Sequence, residues 1–265
     1  MRTVSDVVDK YLSLPQFTIA IRRDATRNQY AYLLRKLCDL TYNDKPVGTI
    51  PIDKLKPSTC QDLYYLMIEQ SQGEGVRLAN YTVQVAVRAW NVLIKHDLLD
   101  RNPWSLVERM QAAPRHTVWT NADFESILKI AFADSKWRNI GLLIRINAEL
   151  GQRAGDMRLV QWVNLDLEQQ LYIRESIEKT REHIPGIPIS DNLKHMIIKQ
   201  KEYYSFQPWV VPNPHTMEPY TESGLRHTFR RLARAANIPD KLQFRDIRRT
   251  VLTDLANHGA TDNEM

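Results

Sequence analysis

Hydrophobic residues in the first hundred positions recur at helical spacing. Three apolar stripes have this period and comprise Tyr30, Leu33, Leu34, Leu37 and Leu40; Leu63, Leu66 and Met67; and Val83, Val87, Trp90 and Ile94. The first belongs to a helix starting near Thr26, the second to one opened by Pro57 and followed by Gly73 and Gly75, and a shorter helix covers residues 4–12. With no strand pattern before residue 110, residues 1–110 are predicted to form an all-α bundle of four helices.

The pattern changes after a short segment poor in apolar residues, 111–117, which we interpret as an interdomain linker. A second domain, 118–265, begins with Thr120, whose hydroxyl can cap a helix with Asp123 as its partner. The buried stripe of that helix comprises Phe124, Ile127, Leu128 and Ala131. Residues 140–150 are apolar on nearly every side, which predicts a central helix of this domain.

From residue 162 the hydrophobic period becomes two. Residues 162–167, 171–175 and 184–189 are predicted to be short strands, the last two joined by the charged turn 179–182. Helices are predicted again over 190–204, 221–236 and 246–257. The expected fold is therefore mainly α: a four-helix bundle followed by an α+β domain that is mostly helical, with a small three-stranded antiparallel sheet.

Composition and charge bear on the location and the partners of this protein. No apolar run reaches the roughly 20 residues of a membrane helix, and Cys38 and Cys60 lack metal-type spacing, so a cytoplasmic protein is expected. The formal charge is +5, and residues 223–250 alone carry eight basic and two acidic residues, which is +6. A charge run of this kind is commonly a solvated face, but it also fits a polyanionic partner.

Three cations far apart in sequence stand in distinctive surroundings. Arg153 follows a buried helix in the run ELGQRAGD, Lys179 lies in the charged turn, and Arg248 lies in the run FRDIRRT. Taken one at a time, an arginine at a helix start or a lysine in a turn is most often a surface residue. Their order and spacing carry more information than any one of them.

In that order they resemble the motifs of the tyrosine recombinases, the phage integrase family. Gly151-x-Arg153-x-x-Asp156 is similar to the first arginine box, Lys179-Thr180 before residues 187–189 to the lysine of the β-ribbon, and residues 246–250 to the second arginine box. The N-terminal bundle resembles the core-type DNA-binding domain of that family. The resemblance spans essentially the whole chain.

The resemblance implies a site-specific recombinase that cuts and rejoins double-stranded DNA through a 3′-phosphotyrosine, without metal or other cofactor. It makes Arg153 and Arg248 a clamp on the phosphate oxygens, Lys179 the general acid, and Asp156 a support for the first box. It also implies self-assembly on DNA as a tetramer. The DNA-binding residues expected from the basic run are Arg226, Arg230, Arg231, Arg234 and Arg249.

Two departures from the family pattern are visible. The family usually has histidine three residues before the second arginine, where this chain has Arg245, which can hold a phosphate but cannot act as a base near neutral pH. No tyrosine follows Tyr220, so the nucleophile is expected to lie outside this sequence. Thr261 and Glu264 form a capping pattern for a helix that the chain does not continue, and we expect the sequence to be truncated.

Two alternatives remain open at the level of sequence. One is a non-catalytic DNA-binding protein, either a regulator or a decayed recombinase. The codons after 265 distinguish it from the enzyme, because a stop codon favours the binder and a tyrosine in the next helices favours the recombinase. The other is a basic helical enzyme unrelated to nucleic acid, which predicts no salt-dependent DNA affinity.

Overall fold

A computed structural model describes residues 2–71, 75–114, 116–173 and 186–261. The chain divides into two compact units, residues 1–114 and 115–265. Each unit has a hydrophobic core of its own. Across the described residues, no helix combines the length and the apolar content that crossing a bilayer requires.

The first unit is built from four long helices and one single-turn helix. They are α1 (Val4–Ser13), α2 (Pro15–Thr18), α3 (Asp24–Asp39), α4 (Pro57–Glu69) and α5 (Gly75–Ile94). The Thr3 hydroxyl and the Asp6 carboxylate cap the start of α1 reciprocally. Helix α5 is the longest, and Trp90 on it packs edge-on against Trp104, with ring centroids 6.1 Å apart. The predicted helical bundle is confirmed.

Three details of this unit differ from the sequence prediction. A short antiparallel hairpin, β1 (Thr41–Tyr42) with β2 (Lys45–Pro46), lies where no strand is predicted. Its turn residues Asn43 and Asp44 have φ of 49° and 61°, the left-handed conformation of a tight hairpin turn. Gly75 begins α5 instead of lying in a loop after α4. Val83 and Trp90 of the predicted α5 stripe are buried, but Val87 and Ile94 are only partly buried, and Ala86, Ala89 and Leu93 complete the buried face.

The second unit consists of helices around a small sheet. The helices are α6 (Asn121–Ala133), α7 (Arg138–Leu150), α8 (Ala154–Met157), α9 (Asp191–Tyr204), α10 (Glu222–Ala235) and α11 (Asp246–Asn257). The strands β3 (Leu165–Asp166), β4 (Leu171–Tyr172) and β5 (Ile187–Pro188) pair antiparallel in that order. The expected fold class is confirmed.

The strands of this sheet are shorter than predicted. Each has two paired residues, and residues 162–164 form a 3₁₀ turn before β3. Trp162 donates from its indole Nε1 to the Tyr204 carbonyl at 3.2 Å. Trp162, predicted to begin a strand, therefore anchors this 3₁₀ turn instead. Helix α7 is central as predicted, with nine of its thirteen residues buried. Its C-terminal end positions the candidate site.

Candidate functional site

The first element of the site is the sharp turn at the end of α7. Gly151 closes the helix in the left-handed conformation (φ 59°), and its N–H donates to the Asn147 carbonyl at 2.9 Å. A Cβ at this position would lie 2.8 Å from Cγ1 of Val251 in α11. Both the backbone conformation and the close approach of α11 therefore require glycine here.

Replacing Gly151 with alanine should lower the free energy of unfolding by about 2 kcal/mol or more, since a left-handed alanine costs roughly 1–2 kcal/mol and the contact with Val251 adds overpacking. Gly155→Ala is the matched control, because Gly155 lies in α8 and a Cβ there meets nothing within 4 Å. Urea unfolding monitored by circular dichroism measures both. Equal stability of the two variants would contradict the role assigned to Gly151.

Arg153 follows this turn directly. It is the N-cap residue of α8, with an extended backbone and an exposed side chain. Its carbonyl accepts hydrogen bonds from the N–H groups of Asp156 and Met157 at 2.9 and 3.0 Å, which start α8. Asp156 is half-buried in that helix. The predicted position of Arg153, at the junction between a buried helix and the next one, is the observed one.

The second arginine box is held against the same turn by α11. Nη1 of Arg248 donates to the Gly151 carbonyl at 2.7 Å, joining residues 97 apart in sequence. Thr250 Oγ1 accepts from the Trp119 backbone N–H at 2.8 Å and donates to the Asp246 carbonyl at 3.1 Å. Gly151, whose carbonyl accepts the hydrogen bond from Arg248, lies only two positions before Arg153. The tertiary structure therefore brings the runs that contain Arg153 and Arg248 together.

The start of α11 is fixed by a buried carboxylate. Asp246 is 2% exposed, and its Oδ2 accepts from the Gln243 N–H at 2.9 Å. Arg245, directly before it, is the N-cap residue of α11 and is exposed. Arg245, which the sequence comparison predicted to contact phosphate, is therefore presented to solvent three residues before Arg248.

Beside Arg245 lies an open groove of about 810 Å³. Three segments form it: α8, the face of α10, and the residues that lead into α11. It is lined by Ala154, Gly155, Arg158, Glu222, Ser223, Leu225, Arg226, His227, Phe229, Arg230, Gln243, Phe244 and Arg245. Its lining includes four arginines and one glutamate, which makes this groove electropositive.

The cations of the groove fall into two classes. Arg158 donates to the Tyr220 carbonyl at 3.0 Å and lies 3.9 Å from Glu222, and Arg230 forms a 2.9 Å ion pair with Asp240. Within the part of the chain that the structure describes, Arg226 and Arg245 have no hydrogen-bonding or ion-pair partner. Their guanidinium groups are available to an anion in the groove.

Other predicted site residues lie elsewhere. Arg231 stacks on the Trp137 ring, with its guanidinium carbon 5.4 Å from the ring centroid. Arg234 and Arg249 are exposed but do not line the groove. Lys179, predicted as the general acid, lies within residues 174–185, outside the described residues. His258 is the C-cap residue of α11.

Tyr203 and Tyr220, two tyrosines of the second unit that precede Arg248, pack against neighbouring parts of the fold. Burial raises the pKa of the Tyr220 phenol to about 12, and the neighbouring Tyr204 adds to the shift. Tyr203 packs against Arg138, whose guanidinium carbon is 5.0 Å from the ring centroid. Among the described residues, no tyrosine lines the groove. That none of Tyr203, Tyr204 and Tyr220 is the nucleophile stays a prediction.

Sequence reasoning missed two residues of the groove, Arg158 and His227. A signal for His227 was present, because Ser223, Arg226, His227 and Arg230 are spaced i, i+3, i+4, i+7 and so lie on one face of α10. Arg158 carries no such signal. Its role depends on the carbonyl of Tyr220, 62 residues away, which only the folded chain brings to it.

Comparison with known proteins connects this geometry to a family. Residues 118–264 match the model of the phage integrase family. The tyrosine recombinase XerC of Pediococcus pentosaceus is 24% identical over 185 residues, which cover 64% of this chain and 60% of that protein. The matched region therefore spans less than two thirds of the relative's length.

Solved structures resemble the fold along nearly the whole chain. The Tn1549 transposon integrase in complex with a circular intermediate DNA superposes with a TM-score of 0.76 at 19% identity, covering 98% of this chain and 89% of that one. A lambda integrase dimer bound to a COC′ core site gives a TM-score of 0.75 at 14% identity, covering 97% and 91%. A lambda integrase tetramer bound to a Holliday junction gives 0.75 at 15% identity, covering 99% and 75%.

Proposed function

We propose that this chain, which belongs to the phage integrase family, is part of a site-specific recombinase. Such an enzyme cuts and rejoins DNA through a 3′-phosphotyrosine intermediate. The family membership expected from the three sequence motifs is confirmed. In the proposed reaction a tyrosine oxygen attacks the phosphorus and the bond to the 5′-oxygen breaks. The new phosphotyrosine linkage conserves the energy of the broken bond, and this energy is used for rejoining.

The observation that carries the proposal is the hydrogen bond from Arg248 to the Gly151 carbonyl at 2.7 Å. It places the second arginine box beside the turn that precedes Arg153. Two guanidiniums that approach one phosphate can hold its non-bridging oxygens bidentately and stay charged at every physiological pH. In the proposed mechanism Arg153 and Arg248 stabilise the charge that develops on these oxygens in the pentavalent state.

The remaining roles follow from chemistry and position. Lys179 donates a proton to the departing 5′-oxygen as general acid. Arg245, exposed at the start of α11, adds a phosphate contact in place of the histidine but no proton transfer. Asp156 supports the first arginine box from within α8.

Double-stranded DNA is the proposed partner. The electropositive groove beside the arginine boxes receives the phosphate backbone through Arg226 and Arg245. The helical unit 1–114 acts as a second, core-type DNA-binding domain, and the full protein assembles as a tetramer on two sites. DNA is accessible to it in the cytoplasm of a prokaryotic or phage-infected cell, and integration of a mobile element is the proposed outcome.

A covalent trap tests the proposal. The protein expressed from its complete gene is incubated with a nicked suicide duplex containing its recombination site, and denaturing electrophoresis detects a 3′-linked protein–DNA adduct. An adduct that survives denaturation and is lost on protease treatment is expected. Salt-dependent binding without any adduct would contradict the enzyme and support the alternative, a non-catalytic DNA-binding protein.

A further inference from the structure

The last turn of α7 carries an acidic residue, Glu149, two positions before Gly151. Its side chain is 17% exposed. One carboxylate oxygen accepts a hydrogen bond from the backbone N–H of Ser190, and the other accepts from the Ser190 hydroxyl at 2.9 Å. Arg145, one turn earlier on α7, places its Nη2 3.4 Å from the same carboxylate. We call the two hydrogen bonds to Ser190 the Glu149 bridge.

The helix itself does not favour an acid at this position. The C-terminal end of a helix carries a partial negative charge, so a carboxylate in the last turn is disfavoured unless a partner offsets it. Glu149 finds this partner in a segment 41 residues further along the chain. Hydrogen bonds to a charged acceptor are stronger than neutral ones, and partial burial reduces their screening by solvent. The Glu149 bridge therefore fixes the end of α7 to the residues around Ser190.

Ser190 lies where the chain passes from β5 to α9. It is the N-cap residue of α9, so its hydroxyl accepts from the Leu193 N–H at 3.2 Å while it donates to Glu149. The Ile189 N–H, directly before it, donates to the Gln170 carbonyl at 2.9 Å, next to β4. The exit from the two-stranded β4–β5 ribbon is thus held from two sides, by the sheet and by the end of α7.

We infer that Glu149 is a positioning residue for proton transfer, because its bridge to Ser190 fixes the exit of the β4–β5 ribbon relative to Arg153, four residues after Glu149. This inference rests on the proposed function. There Lys179, which lies between β4 and β5 in sequence and outside the described residues, gives its proton to the departing 5′-oxygen. A general acid has to lie within hydrogen-bonding distance of the oxygen that it protonates. In this role Glu149 touches no reacting atom, and it lies outside the motif that begins at Gly151.

Single-turnover cleavage of two suicide duplexes by the protein from its complete gene tests this inference. One duplex has the ordinary 5′-oxygen at the scissile phosphate. The other has a bridging sulfur there, which leaves as a thiolate without a proton, because a thiol is far more acidic than an alcohol. Glu149→Ala is expected to cleave the oxygen duplex about 10- to 100-fold more slowly than the wild type, since misplacing a group by about 1 Å can cost about 10²-fold. It should cleave the sulfur duplex as fast as the wild type.

Four further variants accompany this comparison. Glu149→Gln keeps an acceptor for the Ser190 N–H and should recover most of the rate on the oxygen duplex. Ser190→Ala removes only the hydroxyl from the Glu149 bridge; it should show the same pattern with a smaller slowing, and it decides the question if Glu149→Ala does not fold. Glu202→Ala, at an exposed glutamate of α9, is the matched control and should cleave both duplexes at the wild-type rate. Arg248→Ala should stay slow on both, because sulfur does not replace a contact to the non-bridging oxygens.

The outcomes separate the inference from the proposed function. Wild-type cleavage of the oxygen duplex by Glu149→Ala would overturn the role of Glu149. Equal slowing on both duplexes would also overturn it, since Glu149 would then support the fold without acting on proton transfer. Either result leaves the proposed function standing. If the wild type formed no covalent adduct with either duplex, the proposed function would fail and the inference with it.

Discussion

Replacing Arg248 with alanine is expected to lower the rate of DNA strand cleavage by about 10²–10³-fold, the loss found when one preorganised donor to a developing oxyanion is removed. The guanidinium lies at the turn between α7 and α8, where it can reach both the Gly151 carbonyl and a phosphate. Arg248→Lys should recover only part of the rate, because an ammonium cannot hold two phosphate oxygens in the bidentate geometry. Single-turnover trapping on the suicide duplex measures the rates.

The control for this prediction is Arg138→Ala. Arg138 lies at the opposite end of α7 from the site, about 18 Å along the helix axis, and packs on Tyr203. Its cleavage rate should stay within about twofold of the wild type. Since Arg248 also supports the turn, duplex affinity and the unfolding midpoint are measured in parallel. Cleavage by Arg248→Ala at the wild-type rate would refute the role of Arg248.

The double variant Arg226→Ala/Arg245→Ala is expected to weaken binding to duplex DNA at least tenfold at low salt. These are the two arginines of the groove without a partner among the described residues, so a bound phosphate gains their full interaction. The slope of log K against log salt should fall by about 1.8, since each phosphate contact contributes about 0.9. Fluorescence anisotropy over a range of salt concentrations measures both quantities.

Arg230→Ala provides the comparison within the same groove. Arg230 is already paired with Asp240 at 2.9 Å, so phosphate has to compete with that carboxylate. Its removal should change the salt slope by about half a unit or less. If Arg230→Ala weakened binding as much as the double variant, partner-free cations would not be the determinant, and the proposed path of the backbone through this groove would be wrong.

The helices could be predicted from the chain because their stabilising pattern is local. Caps such as Thr120 with Asp123, and stripes repeating every three to four residues, fix a helix wherever it packs, and α6, α7 and α11 lie where they were predicted. The strands could not be bounded in the same way, because pairing with a partner decides their length. The β1–β2 hairpin was missed although Asn43 and Asp44 favour its turn.

The sequence by itself indicated the mainly helical fold class and the family, since both follow from residue types and their order along the chain. The catalytic roles of Arg153 and Arg248 stay predictions. Only the tertiary structure decided which cations share a surface. Arg248 donates to the Gly151 carbonyl and Arg230 pairs with Asp240, because chain segments distant in sequence come within hydrogen-bonding distance, whereas Arg226 has no such partner among the described residues. Whether a cation can bind phosphate depends on its distance from the nearest carboxylate, and the spacing of residues along the chain does not encode that distance.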